Sequence, residues 1–205
     1  MTFKVNNSEE IKVKDEKILI FKNFYKKPQK IIDHIKACKL NFHKENNSTF
    51  NKKLFLDKRH SGYVEDLNNV IEFFENLVNQ ECYHKKENLL TNYQLWIDKK
   101  FNNYKDNYWW PHYDEGFTLL IYLNKNNEKN GLNIYDDTPY SKEQFKYHEH
   151  VKPWHEKSNF KLLKNIETPF NTAVFFNAKN LLHGCAINNN KNLKHFRLNQ
   201  TIFFK

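Results

Sequence analysis

Residues 109–124 have the sequence WWPHYDEGFTLLIYLN, and the second half of this stretch, 117–124, is apolar at almost every position. A strand that is buried on one face alternates between apolar and polar residues, whereas a strand covered on both faces is apolar almost throughout. We therefore predict that 117–124 forms a central strand with further structure packed against each of its faces.

Other segments are also typical of strands, because β-branched and aromatic residues are bounded there by turn residues. These segments are 17–24, 89–98, 132–135, 173–177, 182–187 and 195–204. The asparagine-rich stretch 188–192 is expected to form a hairpin tip between the last two. The segment 137–167 has no clear periodicity, and we expect a long irregular loop there. A long loop inside a compact domain is often functional, for example as a lid.

Two helices are predicted ahead of most of these strands. Apolar residues recur at helical spacing after Pro28, and a second apolar stripe covers 64–83. Helices followed by many short strands indicate an all-β sandwich or barrel with the helices packed on one face.

The composition is that of one compact domain. The chain has 205 residues, of which 39% are hydrophobic and 16% aromatic, which is enough to build a core and is not the composition of a disordered chain. We expect a single domain over 1–205, with helical support over about 1–85 and a β core over about 86–205.

The chain is basic, with a formal net charge of +9. A basic protein suits a polyanionic partner, but here the lysines are spread along the chain and interleaved with acidic residues. Without a compact basic block, nucleic acid is not the favoured partner, although it stays open as an alternative.

The cysteines and the N-terminus favour a cytoplasmic protein. Cys38, Cys82 and Cys185 are odd in number and form no C-x-x-C pair, so a disulfide framework is not expected. The first residues have no apolar core of a signal peptide, and no apolar run approaches the ~20 residues of a membrane span. A membrane is therefore not an expected partner.

The candidate chemistry lies just before the central strand. His112 and Asp114 are two residues apart, so on an extended chain both side chains point the same way and can reach one ion. The third ligand must come from elsewhere. His183 is the best candidate because it too begins a strand after a turn, whereas the alternative, His195, would be crowded against Arg197.

Two imidazoles and one carboxylate on one face of an octahedral metal leave three positions open, as in non-haem iron(II) oxygenases. The open positions can accept a bidentate 2-oxo acid and then O₂. The distal carboxylate of such a co-substrate needs a cation, and the planar guanidinium of Arg197 on the last predicted strand suits it.

Larger motifs surround these residues and resemble a known family. They are PHYD (111–114), TLLIYLN (118–124), NGLNIY (130–135), TAVFFNAKNLLHG (172–184) and FRLNQTIFF (196–204). With them the block 89–205 resembles the prolyl-hydroxylase-like branch of the 2-oxoglutarate/iron(II) dioxygenase superfamily. The opening ILIFKNFYKKPQKIIDHI (18–35) is similar to a small bacterial family of these oxygenases, whose members often end in R-L-x-Q-x-x-F-F.

The resemblance implies a double-stranded β-helix, the jelly-roll fold shared with cupins. It implies iron ligands at His112, Asp114 and His183, and a 2-oxoglutarate site in which Arg197 and Tyr122 hold the distal carboxylate. The implied reaction is hydroxylation of an amino acid, a peptide or a small metabolite, with Fe(II), 2-oxoglutarate and O₂ required and succinate and CO₂ released.

The chain departs from the family pattern in one turn. Where relatives usually have Gly-Gly after the Y-L-N strand, this chain has Asn130 and Gly131, which still permits a tight turn because asparagine tolerates positive φ. Asp114 is present, which argues against a halogenase, in which that ligand position is vacated. Two alternatives stay open: a non-catalytic, cupin-like metal- or ligand-binding module, and an oxygenase that acts on nucleic acid.

Overall fold

The computed structural model describes residues 3–5, 8–37, 41–42, 55–61, 67–82, 90–96, 104–125, 129–136, 154–189 and 197–205. Two α-helices lie in this part of the chain, α1 (Pro28–Ala37) and α2 (Leu67–Val78). A 3₁₀ turn covers Lys157–Asn159. None of the described helices has the length and apolar character that crossing a membrane requires.

The strands form two sheets. In chain order they are β1 (Ser8–Val13), β2 (Glu16–Phe21), β3 (Asn41–Phe42), β4 (Phe55–Ser61), β5 (Leu90–Trp96), β6 (Asn107–His112), β7 (Phe117–Tyr122), β8 (Gly131–Tyr135), β9 (Trp154–Glu156), β10 (Leu162–Glu167), β11 (Thr172–Asn177), β12 (His183–Ala186) and β13 (Arg197–Phe204). The larger sheet has the order β1-β2-β11-β7-β13-β5-β4-β3, and the smaller one β10-β8-β12-β6-β9. Neighbouring strands in both sheets are antiparallel.

Apolar cores cover both faces of the larger sheet, and β7 contributes to each. Leu119 and Ile121 point into the core shared with the two helices, where the rings of Phe74 in α2 and Phe175 in β11 lie 4.6 Å apart. Tyr122 points the other way, into a core shared with the smaller sheet. Burying one such aliphatic side chain contributes about 1.5–3 kcal/mol. The prediction that 117–124 is covered on both faces is confirmed.

The predicted class, mainly β with flanking helices, is also confirmed, and α1, α2, β2, β5, β7, β8, β11, β12 and β13 lie at or within the predicted segments. The first predicted strand ends earlier than expected. Lys22 and Asn23 turn the chain, and Asn23 has a positive φ of 54°.

The prediction that 137–167 is an irregular loop is wrong for its second half, which holds β9, the 3₁₀ turn and β10. Residues 137–153 lie outside the described part of the chain, so the structure does not test whether they form a lid. β10 is an edge strand whose side chains are mostly exposed or half-buried. Such a strand buries little on either face, so its sequence lacks the alternation that predicts a strand.

The predicted hairpin between the last two strands is also wrong. β12 pairs with β6 and β8 in the smaller sheet, while β13 pairs with β5 and β7 in the larger one. The connection therefore crosses between the sheets. The first residues of this connection are hydrogen-bonded to the turn that precedes β8, because the Asn188 backbone N–H donates to Asn130 Oδ1 at 2.8 Å. Residues 190–196 are outside the described part.

Candidate metal centre

A bulge in β6 aims His112 at the space between the sheets. In the pairing with β12, His112 lies opposite His183 and Trp109 opposite Cys185, so β6 has one residue more than β12 over this span. Pro111 lies inside the extra segment. Proline has no N–H to donate and is found in strands at bulges, and bulges re-aim side chains near functional sites.

His183 enters the site from the neighbouring strand. It is the first residue of β12 and lies directly opposite His112, so the two imidazoles share one face of the smaller sheet. Their ring centroids are 4.3 Å apart. The edge of the Phe176 ring packs against His183, which is 3% exposed. The prediction that His183 is the partner of His112 agrees with this geometry, whereas the alternative ligand, His195, lies outside the described residues.

Asp114 completes the group. Its Oδ1 lies 3.6 Å from His112 Nε2, and its Oδ2 lies 3.5 Å from His183 Nε2. Ligand atoms of the three residues all lie within 4.8 Å of one another. Metal–ligand bonds of about 2.0–2.2 Å place donor atoms about 3–4 Å apart around one ion. The three side chains predicted to share a metal are therefore close enough to do so.

Asp114 is fixed by one hydrogen bond through its backbone and another through its side chain. Its backbone N–H donates to the Ala178 carbonyl at 3.1 Å, which ties the β6–β7 link to the connection between β11 and β12. Its side chain accepts a hydrogen bond of 2.7 Å at Oδ2 from the Thr118 hydroxyl. The carboxylate therefore has a defined orientation before any ion arrives.

The tautomer of His183 is set by its backbone neighbour. His183 Nδ1 lies 3.0 Å from the Leu181 carbonyl oxygen, which can only accept. Nδ1 therefore carries a proton. In the neutral imidazole the lone pair is then on Nε2, the nitrogen that faces Asp114, whereas in the charged imidazolium Nε2 can donate to the Asp114 carboxylate. A histidine that donates through one ring nitrogen to a carbonyl and offers the other to an ion is the usual arrangement at metal sites.

The electrostatics favour the metal-binding forms of both residues. Burial alone would raise the pKa of Asp114, but the hydrogen bond with His183, the charges of His112 and His183 and the Thr118 hydroxyl together hold that pKa below its usual range. Burial, with help from His112, lowers the pKa of His183 against the opposing pull of Asp114. An ionised carboxylate and a neutral imidazole are the forms that bind metal.

The predicted co-substrate residues lie on adjacent strands of the larger sheet. Tyr122 is buried in the core between the sheets, opposite Thr172 on β11 and Asn199 on β13. Within the described part of the chain, Thr172 Oγ1 and Asn199 Oδ1 are buried without a hydrogen-bond partner. Arg197 begins β13 opposite Gln94, and its side chain lies outside what the structure describes.

Sequence reasoning missed Thr118, the Leu181 carbonyl, Thr172 and Asn199. Thr118 could have been found, because it is a polar residue near the start of the predicted strand FTLLIYLN, followed by three aliphatic residues, and it shares a face with Tyr122 by alternation. The sequence has three further histidines, His148, His150 and His155, close enough together to suggest a second metal site, and the first two lie outside the described part. His155 is half-buried against Phe160.

No protein-family model matches the chain, and no curated protein matches it. The function is therefore inferred from the chemistry of the site. Two imidazole nitrogens and one carboxylate oxygen form a mixed donor set that suits divalent first-row metals.

Proposed function

We propose that the protein is an Fe(II)- and 2-oxoglutarate-dependent oxygenase that hydroxylates a small-molecule or peptidyl substrate. The proposal rests on one observation. His112 at the end of β6, Asp114 in the β6–β7 link and His183 at the start of β12 bring their ligand atoms close together. Three protein donors on one side of an ion leave its other side for co-substrate and O₂. When bound, iron(II), 2-oxoglutarate and O₂ would supply the oxidising chemistry, with succinate and CO₂ released.

The order of the strands supports a double-stranded β-helix as the core of the proposed enzyme. From β5 onward the chain alternates between the sheets except at β8, β9 and β10, which follow one another in the smaller one. Strands β5, β7, β11 and β13 lie in the larger sheet, and β6, β8, β10 and β12 in the smaller one. Within each sheet these four strands are adjacent, in the orders β11-β7-β13-β5 and β10-β8-β12-β6. Eight strands shared between two packed sheets are the framework of a jelly roll.

The polar atoms around Tyr122 support a site for the co-substrate. A buried polar atom without a partner costs about 1–3 kcal/mol, so a ligand that satisfies Thr172 and Asn199 would recover that energy. The Thr172 hydroxyl can donate to a carboxylate, and the Asn199 oxygen can accept from a guanidinium. Arg197 is two residues before Asn199 in the sequence and stays the predicted cation for the distal carboxylate.

The test uses iron and co-substrate together. Anaerobic addition of Fe(II) and 2-oxoglutarate is expected to produce a weak visible charge-transfer band, and admission of air is expected to convert 2-oxoglutarate to succinate. The variants Asp114→Ala and His183→Ala should fold and lose both signals. A folded, iron-loaded protein with neither band nor succinate would contradict the proposal, and metal binding alone would favour a non-catalytic, cupin-like module.

A further inference from the structure

We infer that Thr118 is a positioning residue that holds the Asp114 carboxylate so that Oδ1 is the oxygen offered to the metal. This inference rests on the proposed metal site and adds to it a residue outside the set of three ligands. It follows from one contact, the hydrogen bond from Thr118 Oγ1 to Asp114 Oδ2 at 2.7 Å.

Thr118 is well placed to be a rigid support. It is fully buried, and its β7 backbone is paired with Phe176 of β11 on one side and Phe203 of β13 on the other. A β-branched side chain has few accessible χ1 rotamers, so its hydroxyl has little freedom to move away. Asp114, by contrast, lies in the link between β6 and β7 and needs a fixed partner.

The hydrogen bond makes the two carboxylate oxygens different. The two oxygens lie almost equally close to the histidines, Oδ1 at 3.6 Å from His112 Nε2 and Oδ2 at 3.5 Å from His183 Nε2. What distinguishes them is that Oδ2 already accepts the Thr118 proton, whereas Oδ1 has no such bond from Thr118. An ion shared with the two histidines is therefore bound best through Oδ1, with Oδ2 kept as an acceptor. Groups that orient a ligand in this way typically change metal affinity by about 10–100-fold when they are removed.

The backbone contact of Asp114 makes the role of Thr118 testable by itself. Because the Asp114 N–H is bonded to Ala178, removing the Thr118 hydroxyl leaves the link in place and frees only the carboxylate. Loss of the hydroxyl should therefore weaken metal binding without moving the chain.

The experiment measures Co(II) affinity by competition with a chromophoric chelator, with no co-substrate present. Thr118→Val keeps the shape of the side chain and is expected to bind Co(II) about 10–100-fold more weakly. Thr118→Ser restores the hydroxyl and should recover most of the affinity. Thr168→Val is the matched control, because it loses a buried hydroxyl bond to the Asn130 carbonyl, away from the ligands, and should bind as the wild type does.

A second readout separates orientation from packing. In Thr118→Val the freed carboxylate can turn and bind through both oxygens, so the visible Co(II) spectrum should change, and Thr118→Ser should restore it. Thr118→Ala replaces the valine variant if that does not fold. If both fail to fold while the serine variant folds, the hydroxyl is a folding requirement and the inference is overturned.

The remaining outcomes are distinct. Wild-type affinity in Thr118→Val, or an equal loss in Thr168→Val, would overturn the role of Thr118 while leaving the metal site intact. Failure of the wild-type protein to bind Co(II) or Fe(II) would instead refute the metal site and the proposed function with it.

Discussion

At the residue scale, the candidate metal centre is ordered by hydrogen bonds between its ligands and groups that are not themselves ligands. The Leu181 carbonyl selects the tautomer of His183, and Thr118 orients Asp114. Each contact uses a group that is already fixed by a strand or a tight link. Asp114 and His183 therefore need little reorganisation to bind an ion, and preorganised ligands favour tight binding.

Tyr122 permits a test of the co-substrate site that is separate from the metal. Tyr122→Phe keeps the buried ring and removes only the hydroxyl, so the fold and the Co(II) affinity should be unchanged. A hydrogen bond to a charged group contributes about 1.5–3 kcal/mol, so the 2-oxoglutarate concentration for half-maximal succinate formation should rise roughly 10–100-fold.

The measurement is a titration of succinate formation against 2-oxoglutarate at saturating Fe(II). An unchanged half-maximal concentration in Tyr122→Phe would remove Tyr122 from the co-substrate site. Since the metal ligands are not altered, that result would leave the proposed iron site as it stands.

At the element scale, the turn before β8 has a different backbone conformation from the one predicted, and its glycine has a different role. Asn130 was expected to tolerate a positive φ, yet the left-handed residue is Lys129, with φ 62°, and no described glycine has a positive φ. Gly131 is needed for space. A Cβ there would lie 2.1 Å from the Ile166 carbonyl oxygen on β10.

Gly131→Ala should therefore destabilise the protein severely. The added carbon would meet backbone atoms of β10, which cannot give way without separating the paired strands, and overpacking of this kind costs about 1–3 kcal/mol or more. The midpoint of urea denaturation measures the loss. Lys129→Gly is the control. A left-handed conformation costs a residue with a side chain about 1–2 kcal/mol, and glycine avoids this cost, so the variant should be as stable as the wild type or more stable.

A Gly131→Ala variant as stable as the wild type would show that β8 and β10 are not packed as closely as described. Loss of stability in Lys129→Gly would show that the Lys129 side chain has a role that its backbone conformation does not reveal.

At the scale of the whole molecule, buried hydrogen bonds join the segment before α1 to the last strand. The Tyr25 hydroxyl donates to Gln200 Oε1 at 2.8 Å across 175 residues of sequence. Asn171 holds the same tyrosine by its backbone, accepting from its N–H at 2.9 Å and donating to its carbonyl at 2.8 Å. The segment before α1 is therefore joined to β11 and β13 by buried bonds.

Tyr25→Phe should lower the free energy of unfolding by about 1–3 kcal/mol, because it leaves the buried Gln200 oxygen without its donor. Chemical denaturation followed by tryptophan fluorescence gives the value. In the double variant Tyr25→Phe with Gln200→Met both polar partners are gone, so the loss should be smaller than the sum of the two single losses. Additive losses would contradict a direct bond.

The pH dependence of the same tyrosine has a defined sign. Burial raises the pKa of the Tyr25 hydroxyl far above its ordinary value. Its contribution to stability is therefore complete below about pH 10, where the unfolded chain begins to ionise, and declines as the pH rises above that. Tyr25→Phe should remove this part of the alkaline decline, as measured by denaturation at neutral and alkaline pH.

The sequence by itself determined the features that depend on neighbours in the chain. An apolar run on both faces identified β7, helical spacing identified α1 and α2, and two-residue spacing brought His112 and Asp114 together. His183 was chosen from its place at the start of a strand, and the structure brings it to the same point. The roles of Arg197 and Tyr122 stay predictions.

Only the tertiary structure decided which strands are partners. Periodicity records which face of a strand is buried, but not which strand lies beside it, so the crossing of β12 and β13 to different sheets was invisible in the sequence. The pairing of β6 with β12 sets His112 opposite His183, and the packing of β7 under the β6–β7 link sets Thr118 against Asp114. These contacts join residues far apart or in different elements, and they form only when the sheets close over a shared core.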